Sequence, residues 1–118
     1  MSRYYNRETQ PITMEEWITW FEVMEYRRVA LDVLDDGTRI STVWMGLDHQ
    51  YGDGPPLIFE TMVFSKHQEP MVLGGRVRLY REEEGCWRYT TEQEAIDGHK
   101  KVVQDLVARN IQASSEGK

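Results

Sequence analysis

Hydrophobic positions along this chain follow two periods. In "PITMEEWITWFEVMEY" Trp17, Trp20, Phe21 and Met24 take the i, i+3, i+4, i+7 spacing of one helix face. Thr13 stands three residues before Glu16, the spacing at which a hydroxyl and a carboxylate cap each other's backbone amides, and Ile12 and Trp17 fall at the staple positions around that cap. The pattern predicts a helix over 14–24. In "RRVALDVLDDGTRISTVWMG" the period shortens to two, and β-branched runs flank Asp35-Asp36-Gly37, whose Asp-Gly pair suits the positive φ of a hairpin turn. Strands are expected near 27–34 and 38–46.

A third strand is expected in "LIFETMVF", with Leu57, Phe59, Thr61 and Val63 on one face and Ile58, Glu60, Met62 and Phe64 on the other. Both faces are largely apolar, which predicts a central strand. "SKHQEPMVLGG" reads as an irregular connection because of Pro70 and its two glycines. "RVRLYREEEGCWRYT" reads as a second hairpin turning at Glu83-Glu84-Gly85, with Arg76, Arg78 and Arg88 towards solvent. The last element opens with Thr91 and Glu94 at the capping spacing and gathers Ala95, Ile96, His99, Val102, Val103 and Leu106 on one side. Gly98 lowers helix propensity by about 1 kcal/mol relative to alanine, so a close approach to a strand is its expected purpose. The architecture expected is α+β: an antiparallel β-meander of three to five strands, an N-terminal helix and a C-terminal amphipathic helix, in one domain over 1–111 with a disordered tail over 112–118.

Composition narrows the function classes. With 40% hydrophobic and 29% charged residues, four tryptophans and six tyrosines, the chain has the material for one core. A net charge of −6 weighs against direct nucleic-acid binding, which needs clustered cations, and leaves solubility, a basic partner or nucleic-acid mimicry as its uses. No apolar run reaches the roughly 20 residues of a membrane-spanning helix, and "MSRYYNRETQ" lacks the apolar core of a signal peptide, so a cytoplasmic location is expected. The single cysteine, Cys86, is read as a packed small side chain rather than a nucleophile.

Two groups of residues offer chemistry. The loop "GLDHQYGDGPP" carries Asp48, His49, Tyr51 and Asp53, side chains able to hold a metal or a small ligand; the spacing matches no metal motif, and Asp, Gly and Pro also build plain connections, so no metal and no cofactor are expected. Glu60 joins this candidate ligand set, because a carboxylate in an apolar central strand must pair with an arginine or His99, be held neutral, or act as a base. His99 itself is read first as a hydrogen-bonded core histidine. Catalysis is the minority reading, since histidines at 49, 67 and 99 form no recognised nucleophile or metal pattern. Tyr4 and Tyr5, set among arginines, and Trp87 and Tyr89 near a sheet edge, are the candidates for contact with a partner protein.

"STVWMGLDH", "GDGPPLIFETMVF" and "YTTEQEAIDGH" together resemble a family of small proteins encoded by bacteriophages and prophages, over most of the chain. The segment "HQEPMVLGGRVRLYREEEGCW" is longer here than in that family, and no catalytic residues carry over from it. The resemblance implies a phage-type accessory protein that binds a protein of its bacterial host, with inhibition of an antiviral defence such as a CRISPR system as one form. The alternative expectation is sequestration of a nucleotide signal by the 46–56 loop. Homodimerisation is a further expectation for a domain with spare apolar surface.

Overall fold

The computed structural model describes residues 3–48, 54–64, 70–73, 76–79 and 86–116. A short hairpin comes first: β1 (Tyr4–Tyr5) pairs antiparallel with β2 (Pro11–Ile12). Asn6 closes its turn by accepting from the backbone N–H groups of Glu8 and Gln10 at 3.0 and 2.9 Å. Helix α1 (Met14–Phe21) then begins with the capping box read from the sequence, Thr13 accepting from the Glu16 amide at 3.1 Å while the Glu16 carboxylate accepts from the Thr13 amide at 3.2 Å. It stops three residues short of the expected end. The Val23 amide bonds the Trp20 carbonyl at 3.0 Å, a tightened last turn, and Val23 itself is extended, so the chain restarts as a single turn, α2 (Met24–Arg27).

That break redistributes the expected apolar face. Trp17 and Phe21 are half-buried against the core, whereas Trp20 and Met24 lie exposed, with Trp20 stacked on Tyr26 at 4.4 Å between ring centroids.

Four strands form the main sheet: β3 (Arg28–Val33), β4 (Arg39–Trp44), β5 (Phe59–Phe64) and, after a second hairpin, β8 (Cys86–Tyr89), antiparallel in the order β3-β4-β5-β8. The β3–β4 turn is a three-residue loop. Leu34 and Thr38 pair, Gly37 alone takes a positive φ of 89°, and the Asp36 carboxylate accepts from the Thr38 amide at 2.9 Å. β5 is interior, as its two apolar faces predict. Among the described residues the strands of the expected second hairpin, at 76–79 and 86–89, do not pair with each other, and its turn at 83–85 lies outside them. Instead β6 (Pro70–Leu73) pairs with β7 (Arg76–Leu79), while β8 pairs with β5. The physical reason lies in the sequence: a Gly-Gly pair of the kind that tight turns between antiparallel strands favour separates β6 from β7, and Trp87 and Tyr89 alternate correctly to lie on the side of the sheet that α3 covers.

Helix α3 (Glu92–Glu116) covers one face of the sheet. Its N-terminus carries the second capping box, with Thr91 accepting from the Glu94 amide at 3.2 Å, and Arg7 ties it to the N-terminal hairpin through an ion pair with Glu92 and a 3.0 Å bond to the Tyr26 carbonyl. Ile40, Thr42 and Trp44 of β4 and Phe59, Thr61 and Val63 of β5 alternate inward and are buried against Ala95, His99 and Val102. Burying each large apolar side chain stabilises the fold by about 1.5–3 kcal/mol. The helix also runs through 112–116, which the sequence reading placed in a disordered tail; Gln112, Ala113 and Glu116 are good helix formers, and extending a helix already nucleated is far easier than starting one.

Gly98 marks where α3 meets β8. A Cβ at this position would collide with the ring and hydroxyl of Tyr89. Gly98→Ala is therefore expected to lower stability by about 1–2 kcal/mol, the overpacking outweighing about 1 kcal/mol of improved helix propensity, and urea unfolding would measure the net sign. In Gly98→Ala with Tyr89→Ala, where the collision is gone, the glycine replacement should instead stabilise relative to Tyr89→Ala alone.

Candidate functional site

The sheet and α3 enclose a chain of polar side chains that sequence reasoning only half anticipated. His99 on α3 bonds Thr42 of β4 through Nδ1 at 2.7 Å and Asp32 of β3 through Nε2 at 2.7 Å, and Thr42 bonds Thr61 of β5 at 2.5 Å. A carboxylate only accepts, so Nε2 carries a hydrogen towards Asp32. With the ring neutral, Nδ1 accepts from the Thr42 hydroxyl. That uses the only hydrogen on Thr42, and Thr61 must donate to it. In that tautomer the chain runs one way, Thr61 to Thr42 to His99 to Asp32, and it ends where half the Asp32 side chain, 53%, meets solvent.

A hydroxyl, an imidazole and a carboxylate in this order share the logic of nucleophilic hydrolases. Access decides against it. Thr42 and Thr61 have no exposed surface and His99 is 3% exposed, so no substrate carbonyl reaches the Thr42 oxygen. The arrangement is a polar seam inside the core, in keeping with the sequence reading of His99. What that reading missed was its partners. Asp32, Thr42 and Thr61 all occupy inward register positions, opposite Ile40, Thr61 and Thr42 respectively, and the strand alternation alone would have pointed to them.

Glu60 faces the other side of the sheet and is 8% exposed. Directly across the ladder stands Arg88, whose Nε donates to Glu60 Oε2 at 3.1 Å, so the buried carboxylate has the arginine partner that its position requires. Asp48 is likewise engaged in structure. Its carboxylate accepts from the Leu57 amide at 3.0 Å across the loop, and its own amide donates to the Arg3 carbonyl at 2.9 Å, fastening the start of the 46–56 connection to both neighbours. His49, Tyr51 and Asp53 lie outside the described residues. Among the described residues no group of three His, Cys, Asp or Glu side chains gathers to hold a metal ion, and no helix is long and apolar enough to cross a membrane.

The four aromatic candidates separate. Tyr4 and Tyr5 are half-buried, Tyr4 lying 5.1 Å from the Trp17 ring and Tyr5 packing on the core while its carbonyl accepts from the Trp44 indole at 3.0 Å. Their main contacts are internal. Trp87 and Tyr89 instead line a groove of about 380 Å³ between β8 and α3, closed by Gly98, Lys101, Val102, Asp105, Leu106 and Arg109.

Among the described residues, exposed large apolar side chains concentrate on the N-terminal helices. Met14, Ile18, Trp20, Val23 and Met24 are all exposed, five large hydrophobic side chains within 11 residues. At roughly 100° per residue, Met14 and Ile18 lie on one flank of the seam formed by Trp17 and Phe21, and Trp20 on the other. From α1 through α2 the chain carries Glu15, Glu16, Glu22 and Glu25 against one arginine, Arg27, whose guanidinium lies over the Phe21 ring. Comparisons of this chain with protein-family models, with curated proteins and with solved structures each returned no match.

Proposed function

We propose that this chain is a phage-type accessory protein that works by binding a host protein in the bacterial cytoplasm, and that the surface of α1 and α2 is what it binds with. The observation that carries this reading is the exposure of Met14, Ile18, Trp20, Val23 and Met24 beside four glutamates. Surface helices normally keep their flanks polar, because each large side chain left in water forgoes about 1.5–3 kcal/mol of burial. Apolar flanks on a helix otherwise well capped and well seated therefore suit a partner. Four carboxylates against a single arginine, Arg27, set the partner's character: an apolar strip bordered by lysine or arginine, whose charges the glutamates would meet and orient. Inhibition of a nucleic-acid-handling defence protein fits that chemistry, since such proteins carry basic surfaces.

The chemistry of the described residues favours binding over catalysis. Thr42 and His99 are sealed from solvent, and Glu60 is held by Arg88.

Affinity capture from lysates of bacterial hosts, followed by native mass spectrometry, tests the proposal when run in parallel on Ile18→Asp and Trp20→Ala. A stoichiometric host protein retained by the parent chain should be lost by about tenfold or more in affinity with either variant, while circular dichroism and thermal unfolding of Ile18→Asp stay as in the parent. A complex that survives both substitutions would place the contact elsewhere and overturn the assignment of this surface; capture of nothing from any host would overturn the function.

A further inference from the structure

We infer that the groove between β8 and α3 is a binding site for a small planar aromatic anion, a site separate from the helical surface assigned to protein contact. Its volume of about 380 Å³ falls within the roughly 300–1,000 Å³ of small-molecule pockets, and is too small for more than a ligand or a single large side chain. Trp87 and Tyr89 are alternate residues of β8, so both project to the side of the sheet that α3 covers. Trp87 keeps 41% of its surface exposed there, an aromatic wall open to stacking. Val102 and Leu106 supply apolar lining one helical turn apart.

Charge selects the class of occupant. Lys101, Asp105 and Arg109 follow at i, i+4 and i+8 on α3, so the groove carries one net positive charge in a chain of −6. Lys101 makes no ion pair among the described residues and is available to an anion. The Tyr89 hydroxyl adds a polar element, being buried against Gly98 with no hydrogen-bond partner among the described residues, and an acceptor brought to the depth of the groove is the chemistry it lacks. Gly98 gives the groove its form, because its missing side chain lets Tyr89 settle onto the helix and leaves Trp87 to stand as the outer wall. An aromatic ring on Trp87 with its negative group at Lys101 satisfies the wall, the lining and the charge together.

Titration with 8-anilinonaphthalene-1-sulfonate, a planar aromatic anion, tests the site by emission and by calorimetric stoichiometry, beside N-phenyl-1-naphthylamine, the same ring system without the charge. One sulfonate should bind per chain, weakened by about fivefold or more in both Trp87→Ala and Lys101→Glu and unchanged in Ile18→Asp. The neutral probe should respond to Trp87→Ala but not to Lys101→Glu. Sulfonate binding that falls in Ile18→Asp but not in the groove variants would show the probe on α1 and overturn the inference, as would absence of binding. Displacement of the probe by adenosine monophosphate would support a nucleotide as the natural occupant, displacement by indole-3-acetate alone would support an aromatic carboxylate, and displacement by neither would overturn the assignment. None of these readouts depends on a host protein being captured.

Discussion

Gly46→Ala is expected to cost about 3 kcal/mol, a larger loss than most single-methyl additions produce. Two independent penalties meet at this residue. Its φ of +72° lies in the left-handed region, where any side chain adds about 1–2 kcal/mol. A Cβ there would also press into the Trp44 ring and the Trp17 indole, and neither has room to withdraw. Trp44 is fully buried, its indole nitrogen held at 3.0 Å by the Tyr5 carbonyl and its ring edge-on to Tyr26 at 4.9 Å; the Trp17 indole is fixed by the Met45 carbonyl at 2.9 Å. Gly46 is thus the point where β4 leaves the sheet, the N-terminal hairpin bonds to it through Tyr5, and α1 seats its tryptophan. Equilibrium urea unfolding would measure the loss as a lowered midpoint at unchanged slope. A double-mutant cycle isolates one cause: in a Trp17→Ala background the part of the cost due to Trp17 should vanish, leaving the contact with Trp44 and about 1–2 kcal/mol of backbone strain. An equal cost in both backgrounds would show that Trp17 adds nothing to the clash and assign the effect to φ and Trp44.

The elements legible in the sequence were those whose signal is local. Both capping boxes, the Asp35-Asp36-Gly37 turn and the central position of β5 depend on residues within a few positions of one another, and all formed as read. The failures share the opposite character. The helix ends where Val23 turns extended, and periodicity run through that break put Met24 on the apolar face; Trp20, inside α1, lies on an exposed flank with Tyr26 stacked against it. β8 was paired with its neighbour in sequence because hairpins are the nearest solution, yet its partner β5 lies more than 20 residues away. At the candidate sites the same division holds. The need of Glu60 for a cation could be read from burial alone, whereas Arg88 was one arginine among several until register placed it opposite. Alternation along β3 could have marked Asp32 as inward-facing, but its bond to His99 exists only because α3 packs on the sheet.

That seam makes the second large expectation. Thr42→Val keeps shape and volume but removes the hydroxyl on which both neighbours depend, so His99 Nδ1 loses its donor and Thr61 loses its acceptor, each in a setting without water. Orphaning one buried polar group costs about 1–3 kcal/mol, which puts the substitution at about 3 kcal/mol, while Thr42→Ser, which keeps the hydroxyl and loses one methyl, should cost about 1 kcal/mol. The gradient along the chain is the sharper test. Asp32→Ala should cost under about 1 kcal/mol, because the carboxylate is half exposed and water can replace it at Nε2. Costs should therefore rise from the solvent end to the buried end. Combining Thr42→Val with His99→Leu should destabilise by less than the two single costs together, since the pair leaves fewer orphaned groups than the singles do. Thermal and urea unfolding of the five variants decides it. If Thr42→Val costs no more than Thr42→Ser, the hydroxyls do not hold the seam together, and His99 fastens α3 to the sheet by packing alone.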